Sequence, residues 1–226
     1  MKFTDKKVII FDLDGTLIDS SPDLALAVNH MLKTLNLDTF SSDTIHYWVG
    51  NGAKTLVERA LSGKSEINSN LDPIFSAKAL KIFLAFYAEN LAVETLTYPK
   101  VIETLRTLKN KGYRLAIVTN KPFAFVEPIL EALHLSTFFE LLLGGDSLNK
   151  RKPDPLPLLY VCEQLNISVN DAVMVGDSKN DILAANACQM QSIGLTYGYN
   201  YGEAISLYNP DFVFDDFADI LTTIGE

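Results

Sequence analysis

VIIFDLDGT, at residues Val8–Thr16, is the segment around which the whole chain is organised. Its first part, Val8–Phe11, is an unbroken apolar run, which is typical of a strand buried on both faces in a parallel sheet. Asp12 and Asp14 follow directly, and Gly15 permits a turn that brings both carboxylates to one point because it has no Cβ. Two such carboxylates repel each other unless a cation lies between them or they share a proton. The segment therefore predicts a buried strand with a cation-dependent site at its carboxyl end.

The composition bounds the class of protein. The chain has 226 residues and is 48% hydrophobic, which suits one large domain or one domain that carries an insertion. Its two cysteines, Cys162 and Cys188, lack the spacing of metal ligands, so we expect free thiols in a reducing compartment. The sequence has no signal-type segment and no apolar run of membrane-spanning length. We therefore expect a cytoplasmic protein that does not bind membranes.

The net charge limits the possible partners. At −9, the chain repels nucleic acid and anionic membrane surfaces, so neither is an expected partner. A phosphorylated substrate is also repelled by this charge, and its site must therefore contain local cations and backbone N–H donors. The sequence leaves open whether the chain is a monomer or a homodimer.

Hydrophobic periodicity changes along the chain. Between residues 18 and 90 the pattern is helical throughout, with helix starts near Ser21, Ser41, Ala53 and Pro73. After residue 98 helical and strand patterns alternate, with further strands predicted at residues 115–118, 141–143, 172–175, 192–195 and 212–214. Such alternation predicts right-handed βαβ crossovers and an α/β fold, a parallel sheet with helices on both faces. We predict a core of residues 1–17 and 91–226, with an inserted all-helical cap domain at residues 18–90.

Polar residues follow three of these strands. Asp12 and Asp14 follow the first, Thr119 and Asn120 follow the second, and Asp177 follows the fourth. Ligands of open parallel sheets bind at the carboxyl ends of the strands, where the strand order reverses. We expect these side chains to converge beneath the predicted cap.

Four segments resemble the motifs of a known superfamily. FDLDGT, Thr119, Arg151-Lys152-Pro153 and GDSKND resemble, in this order, the four motifs of the haloacid dehalogenase-like hydrolases. The resemblance implies a Rossmann-like core, dependence on Mg²⁺ and catalysis through an aspartyl phosphate. It also implies that residues of the cap choose the substrate.

The chemistry of these residue types suits phosphoryl transfer. Asp12 is the candidate nucleophile, and Asp14 is the candidate general acid and then general base. Thr119 and the N–H group of Asn120 are expected to hold phosphate oxygens. Lys152 is expected to offset the negative charge of the phosphate and the nucleophile.

The same residues include an expected metal site. Asp12, Asp177 and the backbone carbonyl of Asp14 supply oxygen ligands of the kind that Mg²⁺ prefers. Asp181 is expected to orient this site or to pair with Lys152. The three histidines lack the spacing of metal ligands and are expected to be structural or exposed.

Further segments suggest a narrower family. WVGNGAKTLVERAL, VTNKP, KPDPLPLL and GLTYGYNYGEAI resemble the bacterial phosphoglycolate phosphatases, which hydrolyse 2-phosphoglycolate to glycolate and phosphate. Gly50, Asn51 and Gly52 precede a helix whose free N–H groups, with Lys54 or Arg59 nearby, are candidates to receive the small carboxylate. Gly50, Asn51 and Lys54 are therefore predicted substrate-binding residues, although these glycines also suit a plain turn between helices.

Several alternatives remain open. Another small-molecule phosphatase or a sugar phosphomutase with the same cap would share these motifs. Carbon–halogen hydrolysis is disfavoured by Asp14 and Asp177, because halide release needs no proton donor. A non-catalytic binding protein is disfavoured because it needs no acid–base pair.

Overall fold

Eight strands and eight helices form the secondary structure of residues 3–224, the part of the chain that this computed structural model describes. The strands are β1 (Val8–Phe11), β2 (Ile18–Asp19), β3 (Leu96–Thr97), β4 (Arg114–Val118), β5 (Leu141–Leu143), β6 (Ala172–Gly176), β7 (Gln191–Leu195) and β8 (Phe212–Phe214). The helices are α1 (Ser21–Thr34), α2 (Ser42–His46), α3 (Ala53–Ser62), α4 (Pro73–Glu89), α5 (Val101–Asn110), α6 (Phe123–Ala132), α7 (Leu156–Gln164) and α8 (Lys179–Ala187). Four short 3₁₀ helices lie at Ser136–Phe138, Val169–Asp171, Ile205–Tyr208 and Phe217–Thr222.

Six strands form one parallel sheet in the order β5-β4-β1-β6-β7-β8. β1 lies between β4 and β6, and Phe11 is in register with Ile117 on one side and Val175 on the other. The chain leaves β1 at Asp12, whose N–H group still donates to the Val175 carbonyl at 3.0 Å. This order places the carboxyl ends of the three predicted site-bearing strands side by side.

Helices cover both faces of the sheet, which confirms the predicted α/β architecture. Alternate residues of β1 enter different parts of the core, because side chains of a strand alternate between its faces. Ile9 packs in a cluster with residues of α5 and α6, and Ile10 in a second cluster with residues of α7 and α8. All four residues of β1 are completely buried, as the apolar run predicted.

The helices α1–α4 lie between β2 and β3 in the chain. Val28 and Met31 of α1, Val57 of α3 and Phe83 of α4 are among their buried residues. Local capping agrees with the predicted starts, since the Ser41 side chain accepts a hydrogen bond at the N-terminus of α2. Helical structure over this segment is therefore observed, whereas its division from the core as a domain stays a prediction.

The two linkers of this helical segment contain a pair of short strands that the sequence did not predict. Ile18 and Asp19 form β2, which pairs antiparallel with β3, so the segment from residue 18 is not helical throughout. Two-residue strands are too short to show periodicity. The Asp23 carboxylate, at the start of α1, also accepts hydrogen bonds from the backbone N–H groups of Val93, Glu94 and Thr95.

Across residues 3–224, each helix falls short of the length and hydrophobicity that a bilayer crossing requires.

Candidate active site

Three carboxylates converge at the carboxyl edge of the sheet. Asp12 follows β1, Asp177 follows β6, and Asp181 lies in the first turn of α8. Each offers one oxygen atom, and these atoms all lie within 4.8 Å of one another. All three residues are buried. The predicted convergence of Asp12 and Asp177 is therefore observed.

Glycines allow the chain to approach Asp177 closely. A Cβ atom on Gly15 would lie 2.3 Å from Asp177 Oδ2, and one on Gly198 would lie 2.2 Å from the same atom. Gly15 also has a φ of +87°, which disfavours other residues. The remaining contacts hold the carboxylate in place, because its Oδ1 accepts from Thr16 Oγ1 and its Oδ2 from the Tyr199 N–H group, each at 2.6 Å.

Burial of these carboxylates is electrostatically costly. It raises the pKa of Asp12 to about 7, although the nearby Lys152 opposes the shift. Burial, with the Asp181 and Asp12 carboxylates, also raises the pKa of Asp177 well above its ordinary value. A hard divalent cation relieves this type of repulsion, and the carboxylate oxygens of Asp12 and Asp177 are donors of the kind that Mg²⁺ prefers. The residues present therefore fit a divalent metal such as Mg²⁺.

Lys152 lies between two of the carboxylates and is fully buried. Its Nζ atom is 3.0 Å from Asp12 Oδ1 and 2.5 Å from Asp181 Oδ1. Burial alone would lower the pKa of Lys152, but Asp12 and Asp181 raise it above its ordinary value. Asp181 Oδ2 accepts from the N–H and hydroxyl groups of Ser178 at the start of α8. Asp181 thus uses both of its oxygens to hold neighbouring groups, as the sequence analysis expected.

Asp14 is half-buried and has two side-chain partners. Its Oδ1 accepts from the Ser20 hydroxyl at 2.5 Å and from Lys121 Nζ at 2.9 Å. Lys121 is buried, and its ammonium also faces the Tyr87 ring, 4.9 Å from the ring centroid. No role was predicted for Lys121, because a lysine in a turn carries no signal beyond its place in VTNKP.

Thr119 and Asn120 lie at the end of β4, as predicted, and both are buried. Thr119 Oγ1 accepts from the Lys121 N–H group at 3.2 Å. Asn120 Nδ2 donates to the Lys152 carbonyl at 3.0 Å and to the Gly50 carbonyl at 3.3 Å. Its Oδ1 atom has no hydrogen-bond partner among the described residues.

A cavity lies beside these groups, between the sheet edge and the helical segment. The space between its walls is about 470 Å³, part of it open to solvent. The walls contain residues from the core loops and from the helices above them: Asp12, Asp14, Leu24, Val49, Gly50, Gly52, Ala53, Leu56, Phe83, Tyr87, Thr119, Asn120, Lys121, Pro122 and Phe125. The wall of the cavity is therefore acidic near Asp12 and Asp14, and much of the rest is apolar and partly aromatic.

The cap residues predicted to bind substrate differ in their placement. Gly50 is part of the cavity wall, and Asn51 Nδ2 is 3.5 Å from Asn180 Oδ1. Lys54 is not brought to the cavity: 69% of its side chain is exposed, and its Nζ lies 3.7 Å from Glu58 in a surface pair. The reason is helical phase, because α3 buries residues 56, 57 and 60, and position 54 lies off that face.

The comparisons with known proteins agree with this geometry. The profile of the family described as haloacid dehalogenase-like hydrolase matches residues 9–195. A curated protein of Colwellia psychrerythraea named phosphoglycolate phosphatase is 56% identical over 224 residues, which cover 99% of each chain. One of the same name from Escherichia coli K12 is 42% identical, over 99% of this chain and 94% of its own.

Solved structures show the same fold. The crystal structure of a predicted phosphoglycolate phosphatase from Haemophilus somnus superimposes with a TM-score of 0.90 at 44% sequence identity. The match covers 97% of this chain and 98% of that one.

Proposed function

This chain belongs to the haloacid dehalogenase-like hydrolase family, and we propose that it is a phosphatase that hydrolyses 2-phosphoglycolate to glycolate and phosphate. The observation that carries the proposal is the cluster of the buried Asp12, Asp177 and Lys152 with the half-buried Asp14, beside a small cavity. The substrate class rests on the relatives named phosphoglycolate phosphatase, which match nearly the whole chain. Glycolate as a product suits a role in carbohydrate metabolism.

The proposed reaction begins with attack by Asp12. A carboxylate oxygen of Asp12 forms a bond to phosphorus while the bond from phosphorus to the ester oxygen breaks. The ester oxygen leaves as the hydroxyl of glycolate after it takes a proton from Asp14. Asp14 is suited to this exchange because it faces the same cavity as Asp12.

The second half of the reaction regenerates the enzyme. Asp14, now a carboxylate, removes a proton from a water molecule, whose oxygen attacks phosphorus. The bond from phosphorus to Asp12 breaks, and phosphate is released. Lys152 holds a positive charge 3.0 Å from Asp12 Oδ1 throughout, where it offsets the charge of the transferred phosphoryl group.

Thr119 and the N–H group of Asn120 are proposed to receive the remaining phosphate oxygens, and Gly50 and Asn51 are proposed to contact the substrate from the other side of the cavity. Thr119, with the N–H group of Asn120, lies next to the nucleophile at the end of β4. Gly50 and Asn51 are proposed to close the cavity from the cap side, supported by their contacts with Asn120 and Asn180. Residues 18–90 are proposed to act as the cap domain that shields the reaction from water.

Mg²⁺ is the proposed cofactor, held by Asp12, Asp177 and the backbone carbonyl of Asp14. When bound, a divalent ion neutralises the repulsion between the carboxylates and the incoming phosphate. Asp181 is proposed to act indirectly, by holding Lys152 in position. We also propose that the protein is cytoplasmic and is a monomer or a homodimer. The chain's charge of −9 supports the further proposal that it binds neither nucleic acid nor membranes.

The experiment that tests this function measures phosphate release from a panel of phosphomonoesters, in Mg²⁺ and in EDTA. The panel contains 2-phosphoglycolate, ethyl phosphate and two hexose phosphates, and each hexose product is also analysed for isomerisation. We expect preference for 2-phosphoglycolate and loss of activity in EDTA.

Two variants accompany the panel. Asp12→Asn is expected to lower the rate by at least about 10³-fold, because a neutral amide is a poor nucleophile. Asp38→Asn, an exposed position on the cap side, is the matched control. Equal turnover of all four esters would contradict the substrate assignment, and dominant isomerisation would favour a mutase.

A further inference from the structure

Lys121 is the one basic side chain among the described residues that form the cavity wall. The same wall contains the carboxyl groups of Asp12 and Asp14. A substrate that carries a carboxylate in addition to its phosphate must enter this acidic cavity against charge repulsion. It therefore needs a cation near the position of its carboxylate, and the wall offers Lys121 for that purpose.

The position of Lys121 matches the size of such a substrate. Its Nζ atom lies 2.9 Å from Oδ1 of Asp14, the proposed proton donor to the ester oxygen. In 2-phosphoglycolate a single methylene separates that oxygen from the carboxylate carbon. The substrate carboxylate is therefore close enough to the ester oxygen to be reached by Lys121, the cation that contacts Asp14. A lysine ammonium has three donor hydrogens, so Lys121 can contact Asp14 and a second carboxylate together.

Tyr87 supplies a second donor next to this ammonium. The Lys121 ammonium lies beside Tyr87, close enough to stabilise its hydroxyl oxygen, but no described residue accepts a hydrogen bond from the Tyr87 hydroxyl. Tyr87 is 1% exposed and also lines the cavity. Burial raises the pKa of Tyr87 to about 12, with Lys121 opposing the shift, so the phenol stays protonated and can donate. A buried hydroxyl whose proton has no acceptor is costly, and an incoming acceptor removes that cost.

We propose that Lys121 and Tyr87 bind the carboxylate of the substrate and thereby select acidic two-carbon phosphate esters. This inference rests on the proposed function and assigns the specificity of that site. Lys121 follows β4 of the core, whereas Tyr87 belongs to α4 of the helical segment. The carboxylate is thus held from both sides of the cavity. Lys121 and Tyr87 take the role that the sequence had suggested for Lys54, which is exposed.

The test compares 2-phosphoglycolate with ethyl phosphate, which has the same chain length and no carboxylate. Lys121→Met removes the charge and keeps most of the length, and Tyr87→Phe removes only the hydroxyl. We expect Lys121→Met to lower kcat/KM for 2-phosphoglycolate by about 10²-fold or more, as loss of a buried charge partner does. For ethyl phosphate, which has no carboxylate, the fold-loss of kcat/KM in the same variant is expected to be smaller by a factor of about ten or more.

Smaller changes complete the comparison. Tyr87→Phe is expected to lower the preference for 2-phosphoglycolate over ethyl phosphate by about fivefold, the usual effect of one hydrogen bond. Lys121→Arg is expected to restore part of the preference because it restores the charge. Both Lys121 and Tyr87 variants should weaken inhibition by the product glycolate. Lys81→Met, on the exposed face of α4, is the matched control and should leave the preference unchanged.

The outcomes separate the inference from the proposed function. Equal losses on both esters in Lys121→Met would overturn the inference, because Lys121 would then act through Asp14 alone. An unchanged preference in folded Tyr87→Phe would remove Tyr87 from the site. Wild-type enzyme that does not prefer 2-phosphoglycolate to ethyl phosphate would instead contradict the proposed function itself.

Discussion

Asp14 is the residue whose two proposed roles can be separated by choice of leaving group. Asp14→Asn loses both the acid and the base, but nitrophenolate leaves phosphorus without a proton. With p-nitrophenyl phosphate we therefore expect a rapid release of nitrophenolate stoichiometric with enzyme, followed by turnover about 10²–10⁴-fold slower than wild type. With 2-phosphoglycolate the first step needs the acid, so no such burst is expected.

Stopped-flow absorbance measures the burst, and intact-mass spectrometry of the quenched enzyme measures the phosphorylated species. The double variant with Asp12→Asn is the control and should show neither. Slow nitrophenolate release without a burst would contradict the base role of Asp14.

Gly15 tests whether close packing against Asp177 matters for metal binding. In Gly15→Ala the new Cβ would lie 2.3 Å from Asp177 Oδ2, so that carboxylate must move. We expect Mg²⁺ affinity to fall by about tenfold or more, as for loss of a neighbour that orients a ligand. The dependence of phosphatase rate on Mg²⁺ concentration and calorimetric titration both measure this affinity.

Gly112→Ala is a matched control for backbone strain. Gly112 has a φ of +89°, close to that of Gly15, but its Cβ would meet no atom within 4 Å. Both variants should lose about 1–2 kcal/mol of unfolding free energy from the positive φ. If Gly15→Ala kept wild-type Mg²⁺ affinity, the proposed role of Asp177 as ligand would be contradicted.

Individual site residues were predictable where a motif fixed them to a strand end. Asp12 and Asp177 were found because an apolar strand precedes each carboxylate. Lys121 was missed because its role depends on Asp14 and Tyr87, and no pattern in the sequence links those positions. The prediction for Lys54 did not fit the structure. It rested on the proximity of Lys54 to Gly52 in the sequence, which does not show on which side of α3 position 54 lies.

At the scale of elements, the strands of the sheet were predicted to within one residue at each end. β1 and β5 have the bounds that their apolar runs and flanking polar residues indicated. β2 and β3 were not predicted, because each is held by pairing with a partner about 80 residues away in the chain. Long-range pairing of short segments leaves no local signal.

Asp23 is the residue that attaches one linker of the helical segment to the start of α1. Its buried carboxylate accepts from three backbone N–H groups of residues 93–95 and from the Thr95 hydroxyl. Asp23→Ala leaves those donors without a partner, and we expect the unfolding free energy to fall by about 3 kcal/mol. Urea unfolding followed by circular dichroism measures the change.

Two further variants frame this prediction. Asp38→Ala, at an exposed position, should change the unfolding free energy by less than about 0.5 kcal/mol. Asp23→Asn should also destabilise the protein, since its NH₂ group faces donors rather than acceptors. If Asp23→Ala were as stable as Asp38→Ala, water would be forming the hydrogen bonds to the N–H groups of residues 93–95, and the predicted role of Asp23 would be contradicted.

At the scale of the molecule, the helical segment contacts the sheet edge through the loop at residues 50–52. The Gly50 carbonyl accepts from Nδ2 of both Asn120 and Asn180, at 3.3 Å each. Arg59 of α3 lies over the ring of Tyr201, a residue of the loop after β7, 5.2 Å from its centroid. These contacts hold the loop at residues 50–52 against the core beside the cavity, so their strength should set how often the loop separates from the core.

Asn180→Ala tests that relation, because it removes one donor to Gly50 and the donor to the Tyr201 hydroxyl. We expect amide hydrogen exchange at residues 50–57 to quicken by about fivefold, the effect of one lost hydrogen bond on a local opening. The strands β1, β4 and β6 should exchange as in wild type, because their burial does not depend on this contact. Exchange measured by mass spectrometry, with and without phosphate, reports both regions.

Asn186→Ala is the matched control on the same helix, since Asn186 is exposed and donates to the Tyr208 carbonyl away from the loop at residues 50–52. It should leave exchange at residues 50–57 unchanged. If Asn180→Ala quickened exchange in the sheet as much as in the loop, Asn180 would support the whole fold rather than this closure. If neither region changed, the Asn120 contact alone would hold the loop, and Asn120→Ala would then have to produce the local effect.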